Sequence, residues 1–515
     1  MLAEMKKLAM CISLSNLYFI EVWDRLIYDR SPLLFFGSYS TADYITVILN
    51  VLVMGIILWL VLKLIERYPK LRLGGIIIFG IVTVIVIKSF SSFILRAGLY
   101  YIFSLPEGIN DDYESLMVNG LIFIIIFFTM FLFCIAVINR HKLIRFIPTI
   151  LLIFFPFALI TLSQATWIII ENNQSSGVKS QPAKFSGIDS NQRVLWLIFD
   201  DMDQRITFED RPETVELPEL DRFLEKAVYA TQAYPPHYST HISIPSLTTG
   251  RLATGIESST LYDIKLFFTD TDKPVSWSTQ PNIFQKAKQM GFRTAAGGWV
   301  LPYHKVFEDC LDISIPSTRL WETPFIDRMY YNAIDILPFV SYRTRRAAVD
   351  HQNILEQSKD VIVKPEINLT FIHFMPPHEP WIYDRKRDEY NYVVISGFIP
   401  EPEKYFDNLV LVDRTLGLLR GKMENEDLWD QTTVLISSDH WWKRSHHYDG
   451  LTDYRVPFML KLPGQTKPFV FDTSFNTTLS HDLLLSILQG DLTTPEDAVE
   501  WLEKNHSRID IPDYK

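Results

Sequence analysis

Residues 194–203 read VLWLIFDDMD: six consecutive apolar side chains, Val194 to Phe199, give way at once to Asp200 and Asp201, with Asp203 two positions on. An unbroken apolar run of that length predicts a strand buried on both faces, as in a parallel sheet covered by helices. The same pattern returns twice. INLTFIHF (367–374) runs into MPPHEPW (375–381), and TTVLISS (432–438) runs into Asp439 and His440. Amphipathic stretches such as Pro218–Val228 and Asn282–Met290 lie between the runs, which indicates βαβ units. Residues 193–515 are therefore expected to form one α/β domain, a mostly parallel sheet between helices.

Upstream of that domain, residues 172–192 are rich in Ser, Gln, Asn and Gly and read as a linker. Before the linker the composition changes. Four apolar runs, about Tyr44–Ile65, Gly75–Phe93, Val118–Ile138 and Ile147–Ile170, are each long enough to cross some 30 Å of hydrocarbon as a helix. Arg67, Lys70 and Arg72 lie between the first two, and Arg140, His141, Lys142 and Arg145 between the last two, so both loops read as cytoplasmic. The acidic loop around Glu107, Asp111, Asp112 and Glu114 reads as outside, which places the domain after Glu171 outside as well. Leu8–Ile27 is apolar but carries Glu21, Asp24 and Arg25; it reads as a fifth crossing, with an interfacial helix as the alternative. Residues 1–171 are thus expected to be an all-α bundle of about five membrane helices, making the chain a multi-pass cell-membrane protein with an extracytoplasmic C-terminal domain.

Charge separates the two parts. The 515 residues are 48% hydrophobic with a net charge of −11, yet residues 1–171 hold 13 basic and 11 acidic side chains and the remainder 36 and 49. An acidic domain disfavours nucleic acid as a partner. Eleven of the 12 histidines lie after residue 171, as does only one of the three cysteines, Cys310. No disulfide can form within that domain, so its stability rests on a large core and on any metal it holds.

In an open parallel sheet the carboxyl ends of the strands line the ligand crevice, so Asp200, Asp201, Asp439 and His440 can converge there. Carboxylates with imidazole and without thiolate suit Zn²⁺ or Mn²⁺, with Mg²⁺ or Ca²⁺ also compatible. An Asp-Asp pair after a strand equally serves as a helix cap. His378 sits in a proline-bound loop that would hold its ring at the crevice edge, whereas His373, inside its strand, reads as a core histidine. The segment YPPHYSTHISIPSLTTGR (234–251) supplies hydroxyls ahead of an apolar helical turn and a Thr-Gly stop. A hydroxyl at a helix N-terminus beside a cation is a competent nucleophile, although such loops also serve as simple caps.

Taken in order, strand–Asp-Asp, hydroxyl loop, Pro-His-x-Pro and strand–Ser-Asp-His resemble the sulfatase-like branch of the alkaline phosphatase superfamily over roughly Arg193–Ile487. With a membrane bundle ahead of it, the chain looks like the phosphoethanolamine and phosphoglycerol transferases of bacterial envelopes, including the lipoteichoic acid synthase type. The resemblance implies Asp200, Asp201, Thr240, Asp439 and His440 as metal ligands. It implies Thr240, nine residues before Thr249-Gly250, as nucleophile, and His378 with His447 as further catalytic groups; His446 competes for the latter position. Formylglycine sulfatases need Cys or Ser at the nucleophile with Pro two and Arg four residues on, and here those positions are Ile242 and Ile244. Ser243 begins Ser-x-Pro-Ser but Leu247 replaces the Arg, so Ser243 is the runner-up nucleophile. Trp441-Trp442-Lys443-Arg444 stands where the family usually has Gly. Trp441 and Trp442 would line a lipid or sugar pocket, Lys443 or Arg444 would neutralise the transferred anion, with a solvated basic pair as the alternative, and His446 would contact substrate.

The function implied is transfer of a phospho-headgroup from a membrane lipid to an envelope glycan or lipid. The alternatives are hydrolysis of phosphodiesters or sulfate esters on the same fold, and a catalytically idle, membrane-tethered glycan- or lipid-binding protein.

Overall fold

The computed structural model describes residues 2–28, 41–102, 148–175, 192–259, 263–271, 273–316, 325–334, 336–337, 342–392 and 401–514. They fall into two compact units, one built on the N-terminal helices and one on Ser180–Arg319 with Ser341–Lys515. Leu320–Val340, which the sequence pattern places inside the α/β domain, clusters with the N-terminal unit instead.

The first unit contains α1 (Leu2–Tyr18), α2 (Thr41–Arg67), α3 (Arg72–Ile102) and α4 (Phe155–Ser175). Three segments, Thr41–Arg67, Pro69–Ser91 and Pro148–Ile170, are long and apolar enough to cross a membrane, and they coincide with three of the expected spans. The expected span Val118–Ile138, the acidic and second basic loops and most of the linker lie outside the described residues. The expected linker begins inside α4, which continues to Ser175.

The segment read as a fifth crossing forms α1 and the short helix Ile20–Trp23. Helix α1 touches each of α2, α3 and α4, and Leu14–Trp23 is buried throughout. Several of its polar groups find partners inside the bundle. The Glu21 carboxylate pairs with Lys88 Nζ at 2.9 Å. Asn16 Oδ1 accepts hydrogen bonds from Trp23 Nε1 and Thr161 Oγ1, both at 3.0 Å.

The second unit is built on an eight-stranded sheet: β1 (Val194–Phe199), β2 (Val228–Ala230), β3 (Thr294–Gly298), β4 (Ile313–Ile315), β5 (Leu369–Phe374), β6 (Thr433–Ser437), β7 (Phe458–Lys461) and β8 (Phe469–Phe471). The order is β8-β2-β7-β6-β1-β5-β3-β4. From β6 to β4 every pairing is parallel; β7 runs antiparallel to β6 and to β2. The three runs that end in acids or histidine are thus the adjacent strands β5, β1 and β6. All their residues are buried, as near-continuous apolar runs require. Trp196 packs edge-on against Phe371 and Phe199 stacks on Phe374 across the β1–β5 pair.

Register brings the strand ends level. Ile198 pairs with His373 on one side and Ser437 on the other, and Gly298 pairs with His373. Gly298 has φ +142°, and a Cβ there would stand 2.2 Å from the His373 carbonyl oxygen. Only glycine permits that approach of β3 to β5. The hydroxyl loop leads into helix α5 (Thr240–Thr249), which starts from Ser239 in extended geometry and stops at Gly250 in the left-handed region.

Candidate active site and metal centre

Asp200 is the first residue past β1, and its N–H donates to the Phe374 carbonyl at 3.0 Å, which extends the β1–β5 ladder to the mouth of the crevice. Across the other pair, Asp439 and His440 follow β6. Two sets of side chains place one ligand atom each within 4.8 Å of one another: Asp200, Asp201 and His440, and Asp200, His373 and Asp439, all buried. Asp200 belongs to both. His440 Nε2 lies 3.3 Å from Asp200 and 3.6 Å from Asp439, while its Nδ1 lies 3.0 Å from Asp201. His373 Nε2 lies 3.7 Å from Asp200. Thr240, in the first turn of α5, brings its Oγ1 to 3.2 Å from His440 Nε2.

Both carboxylate oxygens of Asp200, both of Asp439, one of Asp201 and Nε2 of His373 are buried without a hydrogen-bond partner. Buried polar atoms are almost always satisfied, and unsatisfied ones converging from three carboxylates call for a cation. Burial, reinforced by the Asp439 and Asp201 carboxylates, pushes the Asp200 carboxyl well above its usual range. Burial opposes ionisation of Asp201 too, but the His378 and His440 rings hold it at about 2. Burial lowers His373 to about 4, which leaves its ring neutral. The donor set of acids and neutral imidazole fits a divalent metal ion.

The loops that carry these groups are tied together. Ser438 Oγ accepts from Met202 N–H at 3.0 Å and donates to the His440 carbonyl at 2.7 Å. Tyr405 Oη donates to the Asp201 carbonyl and accepts from Asp203 N–H, both at 3.0 Å. The Tyr405 ring stacks on Trp442 with centroids 4.0 Å apart. Asp201 itself has φ +67°, an uncommon conformation that this bracing maintains.

The other expected residues are placed less uniformly. His378 sits at the rim: its N–H donates to the Asp200 carbonyl at 3.1 Å, its Nε2 is 4.0 Å from Asp201, and its Nδ1 meets the Glu379 carbonyl. Burial lowers its pKa. The Ser243 hydroxyl, one turn into α5, donates to the His237 carbonyl at 2.7 Å, which commits it to the helix start. His447 pairs with Glu401 at 2.7 Å, Arg444 with the same carboxylate at 2.6 Å, and neither His446 nor His447 belongs to the acidic clusters. The Lys443 ammonium stands 5.8 Å from the Tyr238 ring centroid and helps hold Asp201 down. Trp441 and Trp442 are buried rather than open to a pocket. Trp441 packs edge-on to Tyr454 and Tyr514.

Three contributors escape the sequence reading. His373 joins the second acidic cluster, where its position in a strand suggests core. His237 faces the charge of His440 and Lys443, and burial lowers it to about 4; its only sequence signal is its place three residues before Thr240. Tyr405 reads as an ordinary helix residue of Glu401–Glu424.

Residues 192–489 match the family model described as Sulfatase. Among curated proteins, a bis(5'-adenosyl)-triphosphatase, enpp4, of Xenopus laevis is 26% identical over 238 residues, 44% of this chain and 42% of that protein. Iduronate 2-sulfatase of Mus musculus is 30% identical over 113 residues, 18% of this chain and 20% of that protein. The matches thus span less than half the length of either relative. Among solved structures, the lipoteichoic acid synthase LtaP from Listeria monocytogenes aligns with a TM-score of 0.39 at 16% identity, over 62% of this chain and 77% of that one. The phosphonate monoester hydrolase of Agrobacterium radiobacter aligns at 0.41 and 13%, over 58% and 74%.

Proposed function

The chain belongs to the sulfatase family, and from that membership we propose that it is a membrane-bound, metal-dependent phosphotransferase. In this reading it moves a phospho-headgroup, of the phosphoethanolamine or phosphoglycerol type, from a membrane lipid to an envelope glycan or lipid. The observation that carries the reading is the Thr240 hydroxyl at a helix start, 3.2 Å from His440 and beside carboxylates with no hydrogen-bond partner. Asp200, Asp201, Asp439 and His440, with His373, would hold a divalent cation. Such a cation supplies positive charge that stabilises an alkoxide and the transferred phosphoryl oxygens.

Thr240 Oγ gives up its proton to the neutral His378 ring at the rim and attacks phosphorus. The bond from phosphorus to the lipid alcohol breaks, and that alcohol leaves with the proton that His378 took up. An acceptor hydroxyl then attacks the phosphothreonine, and its proton goes to the Thr240 oxygen that is released. Three helices long enough to span a membrane support a donor that shares the enzyme's surface. We place the catalytic domain, residues 193–515 apart from the excursion at Leu320–Val340, on the extracytoplasmic side.

A second reading, with water as acceptor, draws on the curated relatives, which are named as a triphosphatase and a sulfatase. Mass spectrometry of the protein in nanodiscs of defined lipids tests both. Transfer predicts a headgroup adduct on Thr240 that moves to added glycan; hydrolysis predicts free headgroup alone. An idle binding protein would give neither, and would not need the buried acidic cluster.

A further inference from the structure

The helix Phe325–Ile334 is built inside out. Apart from Asp327, exposed in its first turn, its polar side chains turn inward: Arg328, 6% exposed, pairs with Asp43 of α2 at 2.8 Å, and Asn332 Nδ2 donates to Thr46 Oγ1 at 3.2 Å. Asn50 of α2 donates to the Met329 carbonyl at 2.9 Å, and Tyr18 of α1 donates to the Ala333 carbonyl at 3.0 Å. Ile326 and Tyr330, one turn apart on the opposite face, are 77% and 59% exposed, and Phe325 is 42% exposed. A helix bathed in water shows the reverse arrangement, whereas polar contacts between helices and apolar side chains outward are the pattern of hydrocarbon surroundings.

Depth along the bundle agrees. Asn50 lies more than two turns, about 13 Å, along α2 from Thr41, within a segment apolar enough to span a membrane. Neighbouring side chains of α2 at that level, Ile45 and Val53, are outward-facing at 36% and 45% exposure. The Phe325 helix therefore continues an apolar surface that already belongs to a membrane span.

We propose that Phe325–Ile334 is a membrane-inserted helix, seated in one leaflet against α2, with Phe325, Ile326 and Tyr330 in contact with lipid acyl chains. At ten residues it cannot cross the bilayer, so it enters and leaves on one face. Because the chain departs from the catalytic unit after Arg319 and rejoins it at Ser341, that unit is tethered to the membrane through the middle of its sequence as well as through its linker. The inference is independent of which ester the site acts on.

The test uses the full chain in nanodiscs, with Cys11, Cys134 and Cys310 replaced by Ala and a single cysteine introduced by Ile326→Cys, labelled with an environment-sensitive nitrobenzoxadiazole dye. Emission should be quenched several-fold more by lipids brominated on the acyl chain than by aqueous iodide. Glu213→Cys, on the catalytic unit, should show the opposite order. Tyr330→Cys reads the same face if Ile326→Cys does not fold. Iodide quenching of both positions as strong as at Glu213→Cys, with no effect of brominated lipid, overturns the proposal.

Discussion

Thr240 and His440 stand 200 positions apart in the chain, and Thr240 Oγ1 meets His440 Nε2 at 3.2 Å. The contact joins the start of α5 to the end of β6 and sets the Thr240 hydroxyl beside the acidic cluster. Thr240→Ala should lower turnover of a phosphodiester on the order of 10³-fold or more while leaving the bound metal in place. Ser243→Ala should lose little turnover, because that hydroxyl is spent on the His237 carbonyl. The reverse ranking, measured with purified protein, removes Thr240 from the mechanism.

Asp200 is shared by both acidic clusters, so Asp200→Asn should release more metal than a change at any other single position. Elemental analysis gives the stoichiometry, and chelation should lower the unfolding temperature of the native protein by several degrees, since a ligand bound only by the folded state stabilises it. In Asp200→Asn that chelator effect should vanish. Full metal content in the variant would place the cation elsewhere.

Tyr405→Phe removes the hydroxyl that bridges the Asp201 carbonyl and the Asp203 N–H. Both groups then lack their partner in dry surroundings, a loss of about 1–3 kcal/mol. Denaturant unfolding should report that loss, and metal affinity should fall with it because Asp201 is no longer braced.

Gly298→Ala should destabilise the catalytic unit by more than about 2 kcal/mol, since its Cβ would press on the His373 backbone at 2.2 Å. The added strain bears on a strand end that carries His373, so metal retention should weaken too. An unchanged unfolding midpoint would mean β3 and β5 can separate freely.

Lys461 gives a pH signature away from the site. Its ammonium is buried, donating to the Trp429 and Thr432 carbonyls, and burial lowers it from 10.5 to about 8. Between those values the unfolded chain holds the proton and the folded chain does not. Stability should therefore rise with pH across that window, by roughly 1 kcal/mol per unit. Lys461→Met should flatten the slope there, and an identical slope in the variant would assign it to other groups.

The architecture was legible where physics acts locally. Near-continuous apolar runs announced β1, β5 and β6, and the acids and histidines that follow them announced the crevice. What stayed hidden depends on register and tertiary contact. His373 sits within an apolar strand like any core residue, and only its pairing opposite Ile198 and Gly298 brings it to the strand ends. Trp442 reads as a pocket wall but is the platform on which Tyr405 stacks. Spacing does not choose between His446 and His447, and the contact of His447 with Glu401 depends on tertiary structure. The Phe325 helix is too short to register as a span, and its polar face declares itself only beside Asp43 and Thr46.

That helix has a practical corollary for anyone wishing to work with the catalytic half alone. Severing the chain in the linker leaves Leu320–Val340 behind as a greasy splint, with Arg328 deprived of Asp43 and Ile326 turned to water. Such a fragment should clump, whereas replacing Leu320–Val340 with a flexible glycine–serine linker should yield a soluble, well-behaved half.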